Sequence, residues 1–200
     1  MNSKIFNFIY NEAMTDAIRR TDCKGCKEVL MSSDEAKVIV KEYVDNTIDG
    51  KKPDFYDVAR RLTEDLKSKD KRFTFGNAQK LINITIKHFY LLVYKTDNEN
   101  PASMISRDVF AGCHCPMDRT MIRKVVLNYR AAIQNDPIER EKKIDCYINE
   151  AKTCRDWSNI AWSKIDYPNI ELYERYQAMV TYLCNKGIYP LEYDYLHFMP

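Results

Sequence analysis

Residues 73–94 read FTFGNAQKLINITIKHFYLLVY. From Ala78 onward the stretch predicts a long helix that is apolar almost all round, through Leu81, Ile82, Ile84, Ile86, Phe89, Leu91, Leu92 and Val93. A helix of that kind belongs in the middle of a domain. Along it run Gly76, Lys80, Asn83, Lys87, Tyr90 and Tyr94, spaced four, three, four, three and four apart. That rhythm draws one polar stripe down one side of the rod. Buried ammonium groups are costly unless paired or facing water, so the stripe points to the lining of a site. Two lysines snorkelling from a partly exposed helix would give the same spacing.

On the N-terminal side, Ser3 to Arg20 fits an amphipathic helix with Ile5, Phe6, Ile9, Ala13, Ala17 and Ile18 inward. The next helix starts at Ser32 or Ser33, with Glu35 placed for a capping box on Ser32, and stops before Gly50. A third starts near Pro53 and buries Phe55, Val58, Ala59, Leu62 and Leu66. It runs through the basic stretch KSKDKR into the link Arg72–Asn77, where a tight turn with Gly76 precedes the central helix. Helix, basic turn, helix is the pattern of a hairpin whose amides and following N-terminus can hold a phosphate.

On the C-terminal side, residues 95–117 form a polar crossover that lands on Cys115-Pro116-Met117-Asp118. Asp118 stands at the N-cap of a helix reading RTMIRKVVLNYRAAI, after a proline that blocks an earlier start. Asp136 and Pro137 open a charged helix to about Lys152, followed by an aromatic stretch with Trp157 and Trp162. A last helix spans about Asn169 to Lys186 with Gly187 as its stop, and the aromatic tail after it should dock on the body. With five glycines, seven prolines and no strand alternation, the fold class is all-α.

Two hundred residues, 45% of them hydrophobic, fit a single domain, 1–200, that buries a core. No run approaches the roughly 18 apolar residues of a membrane span, and the N-terminus lacks a signal-peptide core. Seven cysteines without an export signal suit a reducing cytoplasm better than a disulfide scaffold. Cys23 and Cys26 form a CxxC, but its only potential complement, Cys113-His114-Cys115, is too tight for tetrahedral chelation, so no metal or other cofactor is expected. The net charge of +2 hides a basic middle, where residues 51–90 carry ten Lys and Arg against five Asp and Glu. Lys69, Lys71 and Arg72 head that segment, a distribution that suits a phosphate backbone.

Lys80 and Lys87, seven residues apart on the helix after a hairpin, and Pro116-Met117-Asp118 downstream, together resemble the helix-hairpin-helix DNA glycosylases. The likeness is to the archaeal-type 8-oxoguanine glycosylases, and to bacterial antiphage glycosylases acting on glucosylated hydroxymethylcytosine. It covers about residues 67–126, and the family's Gly-x-Gly hairpin is represented by Gly76 alone. The resemblance implies two helical lobes around a cleft, with the hairpin and active site in residues 53–132. It implies a monomer that flips a modified base out of double-stranded DNA and cleaves its N-glycosidic bond, in repair or antiphage defence, with no membrane partner.

Under that reading Asp118 stabilises the sugar cation and Lys80 attacks C1′ as a desolvated free amine, with a lyase step following where the Schiff base forms. Lys87, about 10 Å further along, and Asn83 contact the base. Trp157 and Trp162 are the stacking candidates. Lys69, Lys71, Arg72, Thr74, Gly76 and Asn77 hold the DNA backbone. Two other classes fit a small helical chain. A helical HEPN-type ribonuclease needs an Arg shortly before its His, but Asn83 stands there before His88, and neither His114 nor His197 has a suitable Arg. A noncatalytic interaction module would use the aromatic tail as its contact.

Overall fold

A computed structural model describes residues 3–18, 26–95, 105–134, 136, 161–184 and 187–198. Among them every regular element is helical and no strand occurs, as composition and periodicity predict. The chain divides into two compact units, Met1–Cys113 and His114–Pro200.

The first unit is built on five helices, α1 (Ser3–Ile18), α2 (Cys26–Ser32), α3 (Asp34–Ile48), α4 (Phe55–Lys69) and α5 (Phe75–Lys95), with a 3-10 turn at Arg107–Phe110. The central helix is α5, and from Phe75 to Ile86 every residue is buried. Its longest contact is with α1, followed by α4; α3 lies mainly on α4, and α2 touches α1 and α4. The α4 helix buries Phe55, Val58, Ala59, Leu62 and Leu66 as its spacing predicts, and Thr63 with them. Asp54 starts it, accepting from the amides of Tyr56 at 2.8 Å and Asp57 at 3.2 Å.

Three details differ from the sequence expectation. In α1 the inward face is Phe6, Ile9, Tyr10, Ala13, Met14 and Ala17, while Ile5 is 42% exposed. Tyr10 and Met14 supply larger apolar surface in register with Phe6, and the Phe6 and Tyr10 rings sit 5.7 Å apart. The cap of α3 is Ser33, whose Oγ accepts from the Ala36 amide at 3.1 Å. Ser32 instead ends α2, donating to the Val29 carbonyl, so the Ser32–Glu35 box does not form. Finally, α5 begins at Phe75, three residues earlier than its apolar run. Thr74 and Asn77 cap each other there: the Asn77 amide donates to Thr74 Oγ1 at 3.3 Å and the Thr74 amide donates to Asn77 Oδ1 at 3.2 Å.

The second unit packs α6 (Arg119–Ile133) against α7 (Glu171–Leu183), and α8 (Pro190–Phe198) lies on both. The α6 helix has the limits read from RTMIRKVVLNYRAAI, and α7 ends earlier than expected. The C-cap of α7 is Cys184, whose amide donates to the Val180 carbonyl, so Gly187, expected as the stop, lies beyond the cap, with a φ of +103°. The aromatic tail docks as expected. Leu191 and Tyr193 of α8 are buried, Tyr193 Oη accepts from Asn128 Nδ2 at 2.8 Å, and Lys124 donates to the His197 carbonyl. The charged helix expected at 137–152 and the Trp157 position lie outside the described residues.

The cap of α3 also ties it to α4. Ser33, 1% exposed, donates to Asp65 Oδ2 at 2.8 Å and accepts from Lys69. Ser33→Ala should therefore cost about 1–2 kcal/mol in urea unfolding, while Ser32→Ala stays within about 0.5 kcal/mol. Equal costs at the two positions would contradict the assignment of the cap.

Candidate functional site

On α5 the polar stripe lies inside the unit. Lys80 is 7% exposed and Asn83 0%, while Lys87 is half-buried. Asn77, Gln79 and Thr85, which the stripe did not include, are buried as well. Three of these side chains donate along the helix, whereas Asn77 Nδ2 is buried with no hydrogen-bond partner. Gln79 Nε2 donates to the Gly76 carbonyl at 3.0 Å, Asn83 Nδ2 to Gln79 Oε1 at 3.1 Å, and Thr85 Oγ1 to the Leu81 carbonyl at 2.7 Å. The spacing of Gln79 and Asn83, one turn apart, was the available sign of that pair. Lys80 thus sits beside a buried amide ladder rather than on a snorkelling surface. His88, next to Lys87, has its pKa lowered, first by burial and then by the Lys87 charge, against the pull of Asp16 and Glu12.

The basic segment before α5 is largely engaged within the protein. Lys69 Nζ lies 2.8 Å from Asp65 Oδ1. Arg72 holds Asp70 through Nε and Nη2, the latter at 2.6 Å, and through its backbone amide at 3.0 Å. Lys71 is exposed, Thr74 half-buried, and Gly76 and Asn77 are buried in the first turn of α5. Gly76 is therefore helical, not a turn glycine. Of the expected backbone-contacting residues, Lys71 is the cation with no ion pair among the described residues.

In the second unit Asp118 is the N-cap of α6, as the sequence predicts. Its Oδ1 accepts from the amides of Thr120 at 2.9 Å and Met121 at 3.0 Å. Three side chains of α7 hold the segment leading to it. Gln177 accepts from the Cys115 amide at 3.1 Å and donates to the Cys115 carbonyl at 2.6 Å. Tyr176 Oη donates to the Pro116 carbonyl at 2.9 Å and lies 3.3 Å from Cys115 Sγ. Tyr173 Oη meets His114 Nδ1 at 3.0 Å. Burial, then the neighbouring Cys115, Asp194 and Asp118, push the Tyr176 phenol well above its ordinary pKa, so it stays a neutral donor. Nothing in the sequence singled these three out beyond their spacing on one helix face. Trp162 is buried in a 3-10 turn, Trp162–Lys164. Trp157 lies outside the described residues.

The pattern therefore gathers Lys80, Asn83, Asn77 and Gln79 on one helix of the first unit, and places Asp118 on the second unit, fixed by α7. Among the described residues no group of His, Cys, Asp and Glu is arranged to hold a metal, and Cys23 lies outside them. No helix there is long and apolar enough to cross a membrane. Comparison with protein-family models, curated proteins and solved structures gave no match to this chain.

The Asp70–Arg72 clamp makes a titration prediction. The Arg72 hydrogen bonds, from side chain and then backbone, lower the Asp70 pKa to about 2. A depressed carboxylate stabilises the fold above its unfolded pKa of roughly 3.9, and that contribution is lost as pH falls through about 2. The carboxyl carbon of Asp70, followed by NMR, should titrate near that lower value. In Arg72→Ala it should return toward the ordinary range, and an unmoved midpoint would show that Arg72 is not the cause.

Proposed function

We propose that this protein is a DNA glycosylase that removes a modified base from double-stranded DNA. The observation that carries the reading is the placement of Lys80. Lys80 is 7% exposed, one turn from the fully buried Asn83, on a stretch of helix buried throughout from Phe75 to Ile86, and so is set apart from bulk water. The amine that attacks C1′ of a nucleotide is the neutral one. The attack breaks the C1′–N bond, the base leaves with its electron pair and takes up a proton, and the amine nitrogen bonded to C1′ goes on to a Schiff base. In the glycosylases that the sequence resembles, a carboxylate stabilises the developing positive charge on the sugar, and on that resemblance the role is assigned to Asp118. Its Oδ1 is held by two amides, so the carboxylate needs little reorganisation during the reaction.

Asn83 and Lys87 contact the extruded base in this reading, and Trp162 is a candidate for stacking. Because Lys69 and Arg72 already serve Asp65 and Asp70, we assign the first phosphate contact to Lys71. A phage-modified or an oxidised base is the substrate class, in antiphage defence or repair. The exposed Ile5 and Phe8 on α1, the latter 68% exposed, favour a second reading, a noncatalytic module that docks on a partner.

The test is incubation with duplexes carrying 8-oxoguanine, glucosylated hydroxymethylcytosine or other modified bases, scored as alkali-labile sites. On the duplex that is cleaved, Asp118→Asn should keep the fold, since asparagine caps about as well, and should lose excision by about a hundredfold or more. With borohydride present, the wild type should form a covalent adduct, Lys80→Gln none, and Lys87→Gln some. Trapping at Lys87 would reverse the two roles. Inertness of a folded wild type on every duplex would favour the noncatalytic reading.

A further inference from the structure

The first unit contains a cavity of about 640 Å³, within the roughly 300–1,000 Å³ of small-molecule sites. None of the candidate residues above lines it. Its innermost residues are Tyr43, Thr47 and Cys113, each 2% exposed. The Tyr43 hydroxyl lies 4.0 Å from Cys113 Sγ, and burial pushes the Cys113 pKa up to about 12, so the thiol is uncharged at neutral pH. Pro53 and Val109 add apolar wall. Two glycines help keep the space open: a Cβ placed on Gly50 or on Gly112 meets no atom within 4 Å. Gly50 needs its φ of +73° to turn the chain out of α3, but Gly112 has no such backbone requirement.

The charged lining residues are Lys51 and Lys52 against Asp108. Lys51 is loosely held by Asp49 at 3.4 Å, both side chains more than 60% exposed, and Lys52 makes no ion pair among the described residues. An apolar interior beneath two consecutive lysines matches a ligand with an apolar body and one negative end. Tyr43 and Pro53 both line the cavity, and ring surfaces suit a flat body.

We propose that this cavity binds a small organic anion, its flat apolar body against Tyr43 and Pro53 and its acidic group at Lys52. The site is independent of the glycosylase reading and stands or falls separately.

Two dyes with the same body test it: 1-anilinonaphthalene-8-sulfonate, which carries a negative charge, and N-phenyl-1-naphthylamine, which carries none. The wild type should bind the sulfonate saturably at one site, with fluorescence enhancement, and bind it more tightly than the neutral dye. Gly112→Leu and Ala111→Trp fill the space from different positions and should each weaken both dyes tenfold or more, with circular dichroism and melting temperature unchanged. Ala111 is exposed, so the larger residue there should leave the fold intact. Lys52→Gln should weaken the sulfonate by about fivefold and leave the neutral dye within about twofold. No saturable binding by the wild type, or full binding by a folded blocking variant, would overturn the site. An equal effect of Lys52→Gln on both dyes, or none on either, would overturn the anionic class.

Discussion

Twelve consecutive residues of α5, Phe75 to Ile86, have no face toward water, and the first unit follows from that constraint. A helix surrounded on all sides must be covered by several others, and α1 and α4 provide most of the cover. The covering helices supply apolar surface, but they do not supply hydrogen bonds for every polar group on the rod. Gln79, Asn83 and Thr85 therefore bond along the helix, to a carbonyl or an amide three or four residues back. Each such bond avoids the penalty of about 1–3 kcal/mol for a buried group left unmet. Lys80, 7% exposed, is the one ammonium group within this buried row.

The second unit solves a different problem with tyrosines. The segment from His114 to Asp118 has no regular structure, so its buried backbone groups must find side chains. Tyr173, Tyr176 and Gln177 fall on one face of α7 and meet three successive residues. Asp118 then caps α6 from a fixed starting point. Polar side chains here do the work that a strand partner or a helix would do elsewhere.

What the sequence made legible was what depends on local chemistry. The apolar period of α4 and the Asp118 cap with the limits of α6 are properties of a few neighbouring residues, and they stand as read. The interior position of α5 was equally plain from its composition. Less legible was anything decided by competition between equivalents. Ser32 and Ser33 are alike in sequence, and only the carboxylate of Asp65, 32 residues away, selects Ser33. On α1 the inner face falls on Tyr10 and Met14 and leaves Ile5 outside it. Lys69 and Arg72 count as free cations in a charge tally, yet each has a carboxylate within its own segment. The α7 residues that position Asp118 act across a gap of about sixty residues, which no local pattern records.

Gln177 shows how narrow a requirement one side chain can meet. It accepts from and donates to the same residue, Cys115, so its two ends must differ in character while sharing one plane. Glutamate has the size but no hydrogen to give, and it brings a charge into a buried place. Asparagine has both functions but stops one methylene short, and methionine fills the space with neither. None of the three replaces it, although the side chain touches no proposed reactant.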